Sequence, residues 1–285
     1  MRTLASGLGL TEGPLWTSDG RLLVVSVSRG LVYEVDLDGA RARPLVNLGG
    51  APSGLAEDRE GTFWVAQGGS QLRRDDAAPV PPSIQHVTGA SVASAAHTGL
   101  TAPNDCVVGQ DGVLWFTDPA GSPLHGTPEP GRVWTLGPGG ALSLKADGVL
   151  YPNGIAFSPD LAALYVAETA TRRVLRFPLH GSALGPVQTV IELSDGHPDG
   201  LAVDADGNII IAATTAGAVV LAAPDGTEID RITIGPGSMP TNVCFGGDDL
   251  ATLFVTVAKG GRVLAVPRKV PGLALPAFSQ GIQST

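Results

Sequence analysis

Short apolar runs alternate with acidic residue–glycine turns along much of the chain, and this pattern predicts paired β-strands. Four copies place a turn ending at Gly20, Gly61, Gly112 or Gly207 directly before an apolar run, and those runs begin LLVV, FWVA, LWFT and IIIA. A strand, an Asp-Gly or Glu-Gly turn and a second strand form a β-hairpin. Helical periodicity is nearly absent, so we predict an all-β fold.

The hairpins repeat six times, and the repeat predicts the architecture. Their first positions are Glu12, Ser53, Asn104, Asn153, Asp199 and Thr241, with spacings of 41, 51, 49, 46 and 42 residues. Most copies are followed by a third strand, such as GLVYEVD or GRVLAV. Periods of about 40–50 residues with four short strands are typical of propeller blades. We predict one domain over residues 1–285, a six-bladed β-propeller with four-stranded blades.

Two further segments bear on the ring. Because little sequence follows the sixth hairpin, we expect residues 2–8 to supply the outer strand of the last blade, so that N- and C-terminal strands pair and close the ring. Segment 77–100 is weakly patterned. We interpret it as an irregular excursion plus the outer strand of the second blade.

Composition limits the possible partners. Apolar residues make up 43% of the chain and charged residues 16%, and 18 basic against 27 acidic residues give a net charge of −9. An acidic chain without a basic run argues against nucleic acid or an anionic membrane as a partner. The first residues lack the pattern of a signal peptide, and Cys106 and Cys244 suggest free thiols rather than a disulfide framework. We therefore expect a cytoplasmic monomer or weak homo-oligomer that acts on a small molecule.

All six first positions carry a side-chain oxygen. Equivalent positions of propeller blades lie at one height around the axis, so we expect these side chains to converge at one end of the channel. Hard cations such as calcium bind carboxylate and amide oxygens. We predict one divalent cation held by Glu12, Asn104, Asn153 and Asp199. The alternative is that Asn, Asp, Ser and Thr only form turns, but glutamate is not a turn-former and the match extends over six blades.

The sequences around these positions resemble a known family. They are EGPLW at 12–16, APND at 102–105, WFTDP at 115–119, PNGIAFSPD at 152–160, PDGL at 198–201 and PTN at 240–242, with FGG at 245–247. Together they resemble regucalcin (senescence marker protein), gluconolactonase and luciferin-regenerating enzyme over nearly the whole chain. The resemblance implies a six-bladed propeller and a central cation bound through Glu12, Asn153 and Asp199. Asn104 matches a position that binds the metal or the substrate.

The resemblance also implies a chemistry. Many members of the family hydrolyse sugar lactones, related propellers hydrolyse organophosphates, and the metal is calcium, zinc, magnesium or manganese. One departure concerns the substrate. Sugar-lactone members often carry an arginine just before the Asn104 motif, whereas residues 97–102 here read HTGLTA. This departure favours a less polar substrate than an aldonolactone.

We therefore predict a metal-dependent hydrolase that opens a small lactone. A bound cation would polarise the carbonyl and acidify the attacking water. Asp199 is the candidate base and Asn104 orients the substrate, and we assign further substrate contacts to Ser53, Thr241 and Asp118. For Asp118 a solvated turn carboxylate is the alternative, and for His125 and His197 a surface or packing role is favoured over a place in the pocket.

Other functions remain open from sequence. Ser53 and Thr241 lack an evident His–Asp partner, so a nucleophilic triad is not supported. The same site could hydrolyse phosphotriesters, or run a lyase or isomerase reaction on a polarised carbonyl. A propeller that binds a metal or small ligand without catalysis is the alternative from a different class.

Overall fold

The computed structural model describes residues 1–70 and 78–274, which form six antiparallel sheets. β1 (Arg2–Ala5) precedes the first blade. Blade 1 comprises β2 (Thr11–Trp16), β3 (Leu22–Ser26), β4 (Leu31–Asp36) and β5 (Arg41–Asn47). Blade 2 comprises β6 (Pro52–Glu57), β7 (Phe63–Gln67), β8 (Ser83–Thr88) and β9 (Ser91–Ala96). Blade 3 comprises β10 (Cys106–Val108), β11 (Leu114–Ala120), β12 (Glu129–Leu136) and β13 (Leu142–Leu150).

The remaining blades follow in chain order around the ring. Blade 4 comprises β14 (Pro152–Phe157), β15 (Ala163–Glu168), β16 (Arg173–His180), β17 (Ala183–Leu184) and β18 (Gln188–Glu192). Blade 5 comprises β19 (Pro198–Val203), β20 (Ile209–Ala213), β21 (Ala218–Ala222) and β22 (Glu228–Thr233). Blade 6 comprises β23 (Pro240–Gly246), β24 (Thr252–Val257) and β25 (Arg262–Pro267). The predicted six-bladed all-β propeller is therefore confirmed.

The ring closes through its first strand, as predicted. β1 pairs antiparallel with β25, with Arg2 opposite Ala265, so blade 6 has the order β1-β25-β24-β23. The pairing covers the edge of β25, whose backbone hydrogen-bonding groups would otherwise be open to a strand of another molecule. The prediction for segment 77–100 was incomplete, because the structure places two strands there, the third strand β8 as well as the outer strand β9.

Two helical turns interrupt the strands. They are 3₁₀ turns of three residues each, η1 (Thr169–Thr171) after β15 and η2 (Thr214–Ala216) after β20. Across residues 1–70 and 78–274, no helix has the length and apolar character needed to cross a bilayer.

The hydrophobic core lies between the blades. Six clusters of buried side chains occur in the described residues, and each joins two neighbouring blades. The rings of Trp16 and Phe254 stack at 5.7 Å between blades 1 and 6, and Trp115 meets the ring of Phe157 edge-on between blades 3 and 4. Burial of apolar surface is the main driving force of folding, so each blade depends on both neighbours.

Glycine permits the inner strands to approach one another. The residue after each first position is a glycine in four blades, and Asp105 and Asn242 occupy the other two. A Cβ added to Gly154 would overlap the backbone of Asp199, Gly200 and Leu201 in the next blade. Backbone atoms cannot yield as a flexible side chain can, so the close packing of blades 4 and 5 requires glycine here.

This packing predicts the effect of one methyl group. Gly154→Ala is expected to destabilise the protein by about 1–3 kcal/mol, the usual range for overpacking, and to lower its melting temperature by several degrees. Gly139→Ala is the matched control, because a Cβ there meets no atom within 4 Å. Thermal unfolding followed by circular dichroism compares them. Equal melting temperatures would show that the inner strands are not this tightly packed.

Candidate metal centre

The inner strands share a local irregularity that aims the first-position side chains. In five blades the pairing of the inner strand shifts register just after the strand begins; in blade 1 the shift lies between Glu12 and Leu15. Five of the six first positions also follow a proline, which suits the first residue of a strand because it donates no hydrogen bond. Bulges of this kind turn side chains and are common beside functional sites.

All six first positions line one cavity of about 290 Å³ at one end of the channel. The side chains of Glu12, Asn153 and Thr241 are buried there, and those of Ser53, Asn104 and Asp199 are partly exposed. The structure thus brings together every residue of the ring inferred from the repeat. A second cavity, of about 110 Å³, lies beyond the second positions Gly13, Asp105 and Asn242 and is lined mainly by apolar residues.

Hydrogen bonds fix part of the ring and leave part of it free. Ser53 Oγ donates to Asn104 Oδ1 at 3.1 Å, and Thr241 Oγ1 donates to the carbonyl oxygen of Thr11 at 2.7 Å. Glu12 Oε2 accepts a hydrogen bond from the amide of Gly13 at 2.8 Å. Such bonds hold the side chains in place, while the second lone pair of Asn104 Oδ1 stays available to a ligand.

The carboxylates of the ring carry strongly perturbed pKa values. Burial, and then the negative charge of Asp105, raise the pKa of Glu12 from 4.5 to about 8. Burial, and then the charges of Glu12 and Asp105, raise the pKa of Asp199 well above its ordinary value. Burial is costly for a charge that no opposite charge compensates. The negative charges of these carboxylates must therefore be compensated either by protons or by a cation.

Two residues near the ring were not found by sequence reasoning. Asp105 is buried at the second position of blade 3, and burial raises its pKa from 3.8 to about 6. Its oxygen lies 3.4 Å from Asn242 Nδ2. Tyr151 lines the cavity, and burial, followed by the charges of Asp199 and Glu12, raises its pKa to about 12. Its hydroxyl therefore stays protonated and can donate a hydrogen bond.

Three further residues considered from sequence lie outside the cavity lining. Asp118, assigned to substrate binding, has no exposed surface, and its Oδ1 accepts hydrogen bonds from the amides of Thr101 and Ala102 at 2.9 and 2.7 Å. Asp118 therefore holds in place the loop that leads into Asn104. His197 Nδ1 lies 2.8 Å from Thr215 Oγ1, and His125 is exposed.

The donor set fits a hard divalent cation. No cluster of three or more His, Cys, Asp or Glu side chains arranged for a metal occurs in the described residues. The ring instead offers two carboxylates and two amides, all oxygen donors of the kind that calcium binds. No lysine, arginine or histidine of the described residues lines the cavity to balance the carboxylates. The Thr214 side chain is also buried at the cavity, beside the Asp199 carboxylate.

The raised pKa values predict an unusual pH dependence. Without a cation, folded Glu12 keeps its proton up to about pH 8, whereas its ordinary value is 4.5. The folded state therefore binds more protons between these values, so this group's contribution to stability is present below pH 4.5 and is lost as the pH rises to 8. The melting temperature of the metal-stripped protein should fall between pH 5 and pH 8.

Calcium and a variant supply the controls for this pH dependence. Saturating calcium should raise the melting temperature more at pH 8 than at pH 5, because protons then compete less for the carboxylates. Glu12→Gln should flatten the pH dependence of the metal-stripped protein. A melting temperature that stays constant or rises with pH in the metal-stripped protein would contradict the electrostatics of the ring.

Comparisons with known proteins agree with the fold and show the family. The family model for the SMP-30/gluconolactonase/LRE-like region matches residues 10–259. A gluconolactonase of Zymomonas mobilis is 27% identical over 90% of this chain and 79% of its own length. A pentonolactonase of Haloferax volcanii is 30% identical over 91% of this chain and 85% of its own length.

A solved structure supports the architecture independently. The crystal structure of regucalcin, a calcium-binding protein of Agrobacterium tumefaciens, superposes with a TM-score of 0.79 and 23% sequence identity. The match covers 98% of this chain and 99% of that one. The two proteins share the fold over their whole length.

Proposed function

The chain belongs to the SMP-30/gluconolactonase/LRE-like family, and from this premise we propose that it is a divalent-cation-dependent hydrolase that opens a small lactone. The observation that carries the proposal is the ring itself. Two carboxylates, the buried Glu12 and the partly exposed Asp199, and two amides face one cavity, and no basic residue of the described chain neutralises them there. Relatives that match most of the chain are named lactonases.

The proposed ligands are Glu12, Asn153 and Asp199, with Asn104 either on the cation or on the substrate. Calcium is the first candidate, because the donors are all oxygens and the related regucalcin is a calcium-binding protein. A cation held there would polarise the lactone carbonyl and acidify the attacking water.

The residues of the chain supply the remaining chemistry. Asp199 accepts a proton from the attacking water as the water oxygen bonds to the acyl carbon of the lactone. Asp199 then returns this proton to the ring oxygen as the acyl C–O bond breaks. The product is the open-chain hydroxy acid. Asn104, whose Oδ1 is held by Ser53, can donate from its amide nitrogen to a substrate oxygen and so fix the orientation of the lactone. Thr241 and Ser53 complete the floor of the cavity.

A panel of substrates tests the proposal. Metal-stripped protein is assayed with a pH indicator on γ- and δ-lactones, before and after addition of calcium, zinc, manganese or magnesium, and then on phosphotriesters. Acid release from at least one lactone only when a cation is present is the expected result. Hydrolysis of phosphotriesters alone, or cation binding without any turnover, would replace the lactonase by one of the other two functions.

A further inference from the structure

We propose that the lactone opened by this protein carries an uncharged aliphatic substituent and not the several hydroxyl groups of a sugar lactone. The inference rests on the proposed function and narrows its substrate class. It is carried by the walls of the cavity, which surround the space above the proposed cation ligands, rather than by the ring of ligands itself.

A second layer of residues stands above the ring. It consists of the residues two positions before each first position, namely Leu10, Ala51, Ala102, Tyr151, His197 and Met239. All of them except His197 line the cavity. Four of these five have purely apolar side chains, and the fifth is the neutral Tyr151. A substrate that reaches the ring must therefore pass through, and rest against, an apolar layer.

The walls of the cavity have two different sides. On blades 6, 1 and 2 they are formed by Met239, Leu10, Val27 and Ala51, and blade 3 adds Ala102, Pro103, Pro119, Ala120, Pro123 and Leu124. On blades 4 and 5 they carry the hydroxyl groups of Tyr151, Thr169 and Thr214. The Thr169 hydroxyl already donates to the carbonyl oxygen of Pro198 at 2.8 Å. On blade 3, Thr101 adds a hydroxyl that accepts a hydrogen bond from the Arg132 guanidinium. Among the described residues, the walls on blades 6, 1 and 2 and the rest of blade 3 offer no hydrogen bond from a side chain.

Two apolar side chains at the mouth are exposed to solvent. Leu124 is 40% exposed and Met239 is 41% exposed, and they approach the cavity from blades 3 and 6. Large apolar groups left in water beside a cavity are typical of a surface that covers an apolar ligand. The backbone supports this for Met239, because its φ of 58° lies in the left-handed region. That conformation costs a bulky residue about 1 kcal/mol or more and a glycine almost nothing, which points to a use for the side chain.

The hydroxyl groups of a sugar lactone would find few hydrogen-bond partners on these walls. A hydroxyl buried against an apolar surface loses its water and gains no partner. A charged donor that could have compensated lies elsewhere: the Arg132 guanidinium donates to the carbonyl oxygen of Gly99 and to Thr101 Oγ1, and Arg132 does not line the cavity. In contrast, the binding of an alkyl group becomes more favourable with each methylene that leaves water.

A homologous series measures this gain. The metal-replete protein is assayed on γ-lactones with substituents from methyl to pentyl, and on glucono-δ-lactone. Burial of one methylene corresponds to about a fourfold gain in kcat/KM, so kcat/KM should rise by about that factor per carbon until the cavity is full. Gluconolactone should be opened about a hundredfold less efficiently than the best γ-lactone.

Variants locate the effect in the cavity. Leu124→Gln and Met239→Gln should reduce the increase in kcat/KM per carbon, chiefly through a higher KM for the longer lactones. Leu144→Gln is the matched control, because Leu144 is 48% exposed on β13 and lies outside the cavity. γ-Lactams of the same chain lengths measure binding without turnover, through the shift that they cause in the melting temperature. In the unmodified protein this shift should increase with chain length and should stop increasing at the same chain length as kcat/KM.

The possible failures can be told apart. If gluconolactone is the best substrate, or if kcat/KM and the lactam shifts do not change with chain length, the inference is overturned while the lactonase function stands. An equal loss in Leu144→Gln and Leu124→Gln would also overturn it. If no lactone is opened with any cation, the proposed function fails and the inference fails with it.

Discussion

Asp199→Asn, assayed at saturating cation, is expected to lower kcat for lactone opening by about 10²–10⁴-fold. The substitution preserves the size of the side chain and one oxygen ligand but removes the group that takes the proton, and general-base catalysis contributes a factor of that size. Occupancy of the metal site must be restored with excess calcium, and separately with manganese, so that the loss reports proton transfer and not loss of the ion. The assay follows acid release from a γ-lactone.

Two other variants serve as a comparison and a control for Asp199→Asn. Asn104→Ala should have a smaller effect, a loss of about tenfold in turnover, because it removes one hydrogen bond to the substrate and leaves the base in place. Asp195→Asn should leave turnover unchanged, because Asp195 is an exposed carboxylate near the same strand that does not line the cavity. Near-normal turnover in metal-saturated Asp199→Asn would place the base on another residue.

Glu12→Gln is expected to weaken calcium binding by about 10²–10³-fold. The variant keeps the shape of the side chain and removes one of the two ring charges, and a unit charge about 4 Å away is worth about 4 kcal/mol in a partly screened protein site. Isothermal titration of calcium into metal-stripped protein gives the dissociation constant. The unmodified protein should bind about one ion per chain.

A second buried carboxylate provides the control for the Glu12→Gln titration. Glu57 lines the cavity at the other end of the channel, and its Oε2 accepts a hydrogen bond from the amide of Ser18 at 2.7 Å. Glu57→Gln should leave the dissociation constant for calcium unchanged. Equal weakening in both variants would mean that the overall charge of the channel, and not the ring, attracts the ion.

The repeat made most of the fold predictable. Six copies of one hairpin predict the number of blades, and β1, which precedes the first copy, completes the last blade by pairing with β25. The missed strand has a physical cause: β8 reads SIQHVT, and its two apolar residues, Ile84 and Val87, stand three positions apart, so it shows no strict alternation of apolar and polar positions. Blade 4 likewise carries the extra two-residue strand β17, which is too short to leave a periodic signal.

The ring of first-position residues was also predictable from the repeat, whereas the residues around the ring were predictable only in part. Aligned copies place Glu12 and Asp199 at one height without any knowledge of their contacts. Asp105 could have been found the same way, because its aligned position is glycine in four blades. The place of Asp118 outside the cavity lining and of Tyr151 within it could not be predicted, because the direction of a side chain next to a loop depends on the contacts of that loop. The amides of Thr101 and Ala102 determine it for Asp118.

Crystals grown with manganese test the central claim most directly, through the anomalous difference map at the manganese absorption edge. The proposed site predicts one strong peak per chain in the channel, within bonding distance of oxygens of Glu12, Asn153 and Asp199. That peak should be absent from crystals of Glu12→Gln grown at the same concentration. A map without a peak in the channel, or with its peak away from these three side chains, would contradict the account.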